Sequence, residues 1–160
     1  MDTITLTIND KEISTRKGQT VLEAAQGAEI YIPTLCHHPS LPPYGSCRMC
    51  IVEIKGMRGF PTACTTPAAE GMVAQTNTPQ IQQLRRNILE LLFSEHPHAC
   101  FTCERKERCQ PLDICLRSVA VTERCVTCPK NGRCELQKVA DYVGFRELTL
   151  PYTYKALPIE

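Results

Sequence analysis

The chain has 160 residues, and its 18 Lys+Arg and 17 Asp+Glu cancel to a formal charge of +1. That balance gives no bulk argument for nucleic acid or an anionic membrane, and no run approaches the roughly 18 apolar residues of a membrane span. Eleven residues are Cys and Trp is absent; an odd count paired only into disulfides would leave a thiol over. Met1-Asp2-Thr3 leads straight into alternating residues, with no basic, apolar and small-residue signal. A cytoplasmic location is therefore expected, where a disulfide framework is disfavoured, and metal or catalysis must explain the cysteines.

Ile4, Leu6 and Ile8 alternate with threonines, the period of a half-buried strand. Asn9-Asp10 supplies a turn, and Glu12–Arg16 is expected to return as the second strand of a hairpin. Thr20-Val-Leu-Glu23 reads as a capping box, in which hydroxyl and carboxylate satisfy each other's backbone N–H groups. The helix it opens is expected to reach Ala25–Gln26 and to stop at Gly27. Ile51–Ile54 and Phe60–Thr62 read as two strands joined by the Gly56–Gly59 turn, and Met72–Gln75 as a last strand. Hairpin, crossing helix and further strands predict a β-grasp arrangement of α+β class. A second helix is capped by Thr78, with Pro79 in its first turn. Ile81, Leu84, Ile88, Leu91 and Leu92 mark its expected apolar face, and its end is expected near Ser94, with Pro97 preventing its return. A shorter helix follows Cys134, with Leu136, Val139, Ala140 and Val143 inward and Gly144 as its stop. Phe145–Glu160 has no apolar period and reads as an extended tail, which either packs on its own domain or straps a partner.

Cysteine density divides the chain. Residues 1–99 hold four, Cys36, Cys47, Cys50 and Cys64, whereas residues 100–134 hold seven. Basic and acidic groups number 8 and 9 over residues 1–99 but 9 and 6 over residues 100–146. A domain edge is expected near Ser94–His98, giving domains over 1–95 and 96–146 and a tail over 147–160. The Cys-rich part also repeats itself. Cys100-Phe-Thr-Cys103-(five)-Cys109 is matched 25 residues later by Cys125-Val-Thr-Cys128-(five)-Cys134, as a duplicated ligand loop would be.

The Cys47-x2-Cys50 pair can aim two thiolates at one centre from a tight turn, and Gly45 beside it can take positive φ and bring its backbone close. Cys36 and Cys64 would complete a tetrad. Four thiolates suit either Zn²⁺ or an iron–sulfur cluster. Structural zinc sites usually join two short knuckles. Here one close pair follows an isolated Cys, which is nearer the asymmetric layout of [2Fe–2S] ferredoxins.

At these residues a family resemblance becomes specific. Leu35-Cys36-His37-His38-Pro39, Gly45-Ser-Cys-Arg-Met-Cys50, Val52-Glu53-Ile54 and Thr62-Ala-Cys64-Thr-Thr-Pro67 resemble the ferredoxin domain of the large iron–sulfur subunit of respiratory complex I. The relatives of that domain include the N-terminal modules of [FeFe]-hydrogenases and of NAD-linked formate dehydrogenases. Over residues 1–99 the resemblance implies a β-grasp fold and a [2Fe–2S] cluster on Cys36, Cys47, Cys50 and Cys64. His96-Pro-His-Ala-Cys100-Phe-Thr-Cys103-(five)-Cys109 is similar to the His-x3-Cys-x2-Cys-x5-Cys element of the same family. It implies a small helical and loop domain built around [4Fe–4S] clusters, one of them on His96, Cys100, Cys103 and Cys109. His98 is read as a non-ligand, and His37 and His38 as solvent-facing or hydrogen-bonding groups.

The chain then departs from the pattern. The family's Glu-Leu-Gln follows its third cysteine, whereas here Cys109 precedes Gln-Pro-Leu-Asp, and Glu135-Leu-Gln137 follows Cys134. The stretch from Cys109 to Cys134 therefore looks inserted. It adds Cys115, Cys125, Cys128 and Cys134, the number one more cluster needs. Two partitions stay open. In one, His96, Cys100, Cys103 and Cys109 hold one cluster and the added four hold the other. In the second, His96 joins Cys125, Cys128 and Cys134, leaving Cys100, Cys103, Cys109 and Cys115 together. The first keeps the His-x3-Cys spacing and is preferred. The plain alternative is structural Zn²⁺ on the added four.

No Gly-x-Gly-x-x-Gly follows a strand, no Walker loop occurs, and no nucleophilic pairing survives once the cysteines serve as ligands. A catalytic site or catalytic domain is not expected. The reading is an electron-transfer subunit with one [2Fe–2S] and two [4Fe–4S] clusters. It would relay electrons between a flavoprotein (FMN or FAD, NADH-type) and a further redox subunit of an NADH-, formate- or hydrogen-linked oxidoreductase. Neither nucleic acid nor direct membrane insertion is expected, and attachment to a membrane complex would run through a partner. The alternative from another class is a zinc-stabilised interaction module whose basic 105–108 and 130–133 loops contact phosphates; no aromatics interleave those charges. A redox sensor would need an output domain, which the motifs do not supply.

Overall fold

The alternation of threonine with Ile and Leu makes β1 (Thr3–Ile8), which pairs antiparallel with β2 (Lys11–Arg16) from Thr3 opposite Arg16 to Ile8 opposite Lys11. This computed structural model describes residues 2–96, 99–102, 110 and 128–149. Asn9 and Asp10 join the strands at φ 51° and 65°. Two successive positive-φ residues give the turn whose twist matches a hairpin, and Asn and Asp tolerate that region. The Asn9 side chain is also tied to Thr76: its Nδ2 donates to Thr76 Oγ1 at 2.7 Å and its Oδ1 accepts the Thr76 N–H at 2.8 Å.

Helix α1 (Val21–Gly27) opens on the expected capping box. Thr20 Oγ1 accepts the Glu23 N–H at 3.2 Å and Glu23 Oε2 accepts the Thr20 N–H at 2.7 Å. Its end differs from expectation. Gly27 is still helical, Ala28 is the C-cap, and the chain reverses at Glu29 with φ 61°. The Ile30 N–H closes the terminus on Ala25 O at 2.8 Å, so the backbone bonds, not a glycine, define the stop.

Strands β3 (Glu53–Ile54) and β4 (Val73–Gln75) complete a four-stranded mixed sheet of order β2-β1-β4-β3. β4 runs parallel to β1 and antiparallel to β3. The α+β class expected from the sequence is the class observed. The strand expected over Ile51–Ile54 is shorter, with Glu53–Ile54 in the sheet and Ile51 making a single bridge to Thr62. No strand forms over Phe60–Thr62. Pro61 has no N–H for a ladder, and the backbone beyond it is spent on the Cys50 segment, where Ala63 N–H donates to Cys50 O at 2.9 Å. The core joins one face of the sheet to α1 through Leu6, Ile8, Val21 and Leu22, and it includes Cys50 and Cys64.

Helix α2 (Pro79–Phe93) is capped as expected, with Thr78 Oγ1 accepting the Ile81 N–H at 3.3 Å. Its buried stripe differs from the expected one. Ile81, Arg85, Leu89 and Phe93 are fully buried, four residues apart, whereas Leu91 and Leu92 are exposed. Packing has selected the stripe beside the one marked by Leu84, Ile88 and Leu91, although the selected stripe contains a cation.

The chain divides into two units, Met1–Arg85 and Arg86–Glu160. In the second, α3 (Ala99–Thr102) and α4 (Glu135–Val143) pack together. Phe93 is at the centre of an aromatic cluster, 4.3 Å from the Phe101 ring and 4.8 Å from that of Phe145. Val139, Ala140 and Val143 are buried as expected, Leu136 only partly, and Gly144 ends α4 at φ 71°. The first residues of the expected tail hold to α2: Phe145 is buried, and Glu90 accepts the Thr149 N–H at 2.7 Å. The rest of the tail, 150–160, lies outside the described residues. Among the described residues, no helix is long and apolar enough to cross a membrane.

Two substitutions test this packing. Phe93→Ala removes the common partner of two rings and is expected to destabilise by about 3–5 kcal/mol, measured by denaturant unfolding. Gly45 sits at φ +70° with Thr65 Cγ2 and Thr62 Oγ1 only 3.1 and 3.2 Å from where a Cβ would lie; Gly18, at φ +94°, has nothing within 4 Å. Gly45→Ala should therefore cost about 1–3 kcal/mol and more than Gly18→Ala. Equal losses would show that the Thr62 and Thr65 side chains yield without cost.

Candidate metal centre

Four cysteines of the first unit lie on segments that the core holds in place. Cys36 is exposed on the loop after buried Ile32, Cys47 is half-buried, and Cys50 and Cys64 are buried. Between them the chain makes two positive-φ turns, at Gly45 (φ 70°) and Arg48 (φ 56°). The first packs the Gly45 backbone against Thr62 and Thr65, whose hydroxyls are themselves hydrogen-bonded at 2.5 Å. This ties the Cys47–Cys50 turn to the Cys64 segment.

Each buried cysteine is fixed through the carbonyls beside it. Around Cys64, the N–H groups of Val21 and Leu22 in the first turn of α1, which have no partner inside the helix, donate to Thr66 O at 2.9 Å and Ala63 O at 3.0 Å. Around Cys50, Arg85 performs this role. Its Nε donates to Met49 O at 2.9 Å and its Nη2 to Ile51 O at 3.0 Å. Sequence reasoning missed Arg85. The available signal was a cation four residues from both Ile81 and Leu89, within a stripe that had to be buried if those two were.

The thiols fall into two couples. The Cys47 N–H points at Cys36 Sγ, 3.5 Å away. Burial raises the Cys36 thiol, but the N–H of Cys47 and contacts from Cys47 and Ser46 outweigh it, so its pKa lies below the ordinary value. Cys47 is raised by burial, partly offset by the Met49 N–H. Cys50 is pushed up to about 12, chiefly by burial and then by the neighbouring Cys64 and Cys36 charges, while the Cys64 N–H works against the shift. Raised so far, the Cys50 thiol stays protonated at neutral pH unless a cation replaces the proton.

Among the described residues, no three His, Cys, Asp or Glu side chains converge on a single ion. A binuclear [2Fe–2S] cluster shares four thiolates between two irons, and Cys36 with Cys47 and Cys50 with Cys64 offer that grouping. The donor set therefore fits the binuclear group. His38 Nδ1 accepts the Ser40 N–H at 3.2 Å, the hydrogen-bonding role expected of it, and His37 Nδ1 is buried with no hydrogen-bond partner.

In the second unit, Cys100 on α3 is half-buried, Cys134 is half-buried as the N-cap residue of α4, and Cys128 is exposed. Burial pushes the Cys100 thiol up to about 11, with the charges of Cys134 and then Cys128 adding to it. Cys100 thus lies near Cys134 and Cys128, which both expected partitions of the ligands assign to a different set from it. Gln137 organises the neighbourhood. Its Oε1 accepts the Gly132 N–H at 2.9 Å, its Nε2 donates to Asn131 Oδ1 at 2.6 Å, and its side chain reaches the Cys100 thiol. Cys128 O accepts the Asn131 N–H at 2.9 Å, closing a turn over 128–131 that leads toward Cys134. His96 is exposed just before α3. Cys103, Cys109, Cys115 and Cys125, with His98, lie outside the described residues. None of the seven described cysteines is in a disulfide.

Comparison with known proteins agrees with this chemistry. Residues 1–79 match the family described as a 2Fe-2S iron-sulfur cluster binding domain. Residues 85–117 and 122–148 match the NADH-ubiquinone oxidoreductase-G iron-sulfur binding region. The chain is 44% identical over 111 residues to the second G-type subunit of the NADH-quinone oxidoreductase of Rhizobium meliloti, covering 69% of this chain and 13% of the relative. It is 35% identical over 153 residues to the HndD component of the NADP-reducing hydrogenase of Solidesulfovibrio fructosivorans, covering 92% of this chain and 22% of that protein. With the gamma component of the NAD-reducing hydrogenase HoxS of Cupriavidus necator it shares 36% identity over 107 residues, covering 67% of this chain and 45% of that one. A crystal structure of an NAD+-reducing [NiFe]-hydrogenase in the H2-reduced state superposes with a TM-score of 0.71 at 32% identity, over 96% of this chain and 54% of that chain. The chain thus spans under half the length of these curated relatives. It belongs to the NADH-ubiquinone oxidoreductase-G family and its hydrogenase relatives, as that family's N-terminal iron–sulfur region, with binding domains for both [2Fe–2S] and [4Fe–4S] clusters.

Proposed function

We propose that the chain is an electron-transfer subunit carrying one [2Fe–2S] and two [4Fe–4S] clusters within a larger NADH-, formate- or hydrogen-linked oxidoreductase. The observation that carries this reading is the pairing of Cys36 with Cys47 and of Cys50 with Cys64. We assign these four as the [2Fe–2S] ligands. His96, Cys100, Cys103 and Cys109 are assigned to one [4Fe–4S] cluster, and Cys115, Cys125, Cys128 and Cys134 to the other. The ligands of the latter two span residues 96–134, within the proposed 96–146 domain that follows the 1–95 domain.

When bound, such clusters supply one-electron chemistry with little movement of their ligands. The residues of this chain decide which side is accessible and how negative charge is tolerated. Cys36 is exposed while Cys50 and Cys64 are buried, so one couple faces the surface and the other the core. The Cys47 N–H aimed at Cys36 Sγ favours the thiolate and, with it, added negative charge. Desolvation at Cys50 opposes added charge. The hydrogenase and oxidoreductase names of the relatives support partners of two kinds, a flavoprotein of NADH type and a further redox subunit. We place the complex in the cytoplasm, with any membrane attachment made through a partner.

Serine variants test the ligand sets by EPR of the dithionite-reduced protein. Cys50→Ser is expected to abolish or strongly alter the [2Fe–2S] signal and to leave the [4Fe–4S] signals in place. Cys125→Ser should weaken one [4Fe–4S] signal and spare the His-ligated one. Loss of the His-ligated signal in Cys125→Ser would favour the swapped partition, and an unchanged spectrum in Cys50→Ser would contradict the [2Fe–2S] assignment.

A further inference from the structure

We propose that Arg85 sets the reduction potential of the [2Fe–2S] centre, acting as a positioning residue whose permanent charge is buried behind the Cys50 loop. The proposal rests on the reading of Cys36, Cys47, Cys50 and Cys64 as the ligands of that centre. Arg85 is fully buried on α2. Its Nε and Nη2 bond to Met49 O and Ile51 O at 2.9 and 3.0 Å, the carbonyls on either side of Cys50. Two carbonyls could be held by a neutral amide at far smaller desolvation cost. A guanidinium does not deprotonate in proteins and holds two acceptors in a fixed fork, so what it adds over an amide is charge that persists at every working pH.

That charge has an object. Ligating thiols are deprotonated outright, and burying such charge without a counter-ion is costly. Cys50 and Cys64 are the two buried members of the tetrad. Reduction adds one electron, and hence one more negative charge, to a centre with fixed ligands. A nearby cation stabilises the reduced form more than the oxidised form, so its presence raises the potential. Because Arg85 is buried, salt screens the interaction far less than it would on the surface. Arg85 reaches the centre through the Cys50 loop and through its field, and it is not itself a ligand.

The test is an EPR-monitored redox titration of the full chain purified without oxygen, with dithionite as reductant, comparing wild type with Arg85→Gln and Arg85→Met. At the potential where the wild-type [2Fe–2S] signal is half-developed, the reduced-to-oxidised ratio in the variants should fall at least tenfold, which is 59 mV for a one-electron couple. The [4Fe–4S] signals should not move, and the shift should persist from about 0.1 M to about 1 M salt. An unchanged ratio in either loaded variant overturns the proposal. Should both neutral variants lose the cluster, Arg85→Lys decides, because it keeps the cation but not the fork. A ratio near wild type then supports the role of charge, while a tenfold fall or loss of the cluster makes Arg85 a scaffold residue only. A wild-type protein with no [2Fe–2S] signal would instead overturn the ligand reading, so the two failures are distinct.

Discussion

The first unit is organised around two buried cysteines, which under the proposed function must carry charge. Cys50 and Cys64 belong to the same apolar core as Leu6, Ile8 and Leu22. Without a cation, burial drives Cys50 to about 12, so a core of this kind is compatible with thiolates only if something cationic arrives. Local structure is arranged around that need. The free N–H groups of α1 hold the carbonyls next to Cys64, and Arg85 holds those next to Cys50. The sheet supplies the wall, while the segments beside β3 and Thr62 carry Cys50 and Cys64 in place of further strand. This explains why β3 has two residues and why the segment after Pro61 makes one bridge and no strand.

Much of this was legible in the sequence because it depends on local chemistry. The Asn9-Asp10 turn, the Thr20/Glu23 box, the Thr78 cap and the Gly144 stop each require particular residue types at particular offsets, and each is found where expected. The sequence also singled out Cys36, Cys47, Cys50 and Cys64, and in the fold Cys36 lies beside Cys47 and Cys50 beside Cys64. What escaped depends on tertiary choice. On α2, the Ile81–Arg85–Leu89–Phe93 stripe and the neighbouring Leu84–Ile88–Leu91 stripe are both possible faces of a helix. Hydrophobicity favours the second, but the acceptors at Met49 and Ile51 and the rings of Phe101 and Phe145 reward the first. The Gly27 stop failed for a related reason. Closing bonds to Ala25 and Gln26 set the end of α1, and Glu29 takes the positive φ that a glycine was expected to take.

The second unit follows a different plan. Its described core is small: the Phe93, Phe101 and Phe145 cluster with the inner face of α4. Cys100, Cys128 and Cys134 approach one another at its edge, with Gln137 bonded to the intervening turn and to the Cys100 thiol. Under the proposed function, the excess of basic over acidic residues across 100–146, 9 against 6, compensates the negative charge of thiolate-ligated clusters.

The central claim is that eleven cysteines and one histidine hold inorganic clusters and not zinc or disulfides. It is tested most directly by counting iron, acid-labile sulfide and zinc in the chain purified without oxygen. One [2Fe–2S] and two [4Fe–4S] clusters require about ten irons and about ten sulfides per chain. Zinc without sulfide would contradict the account.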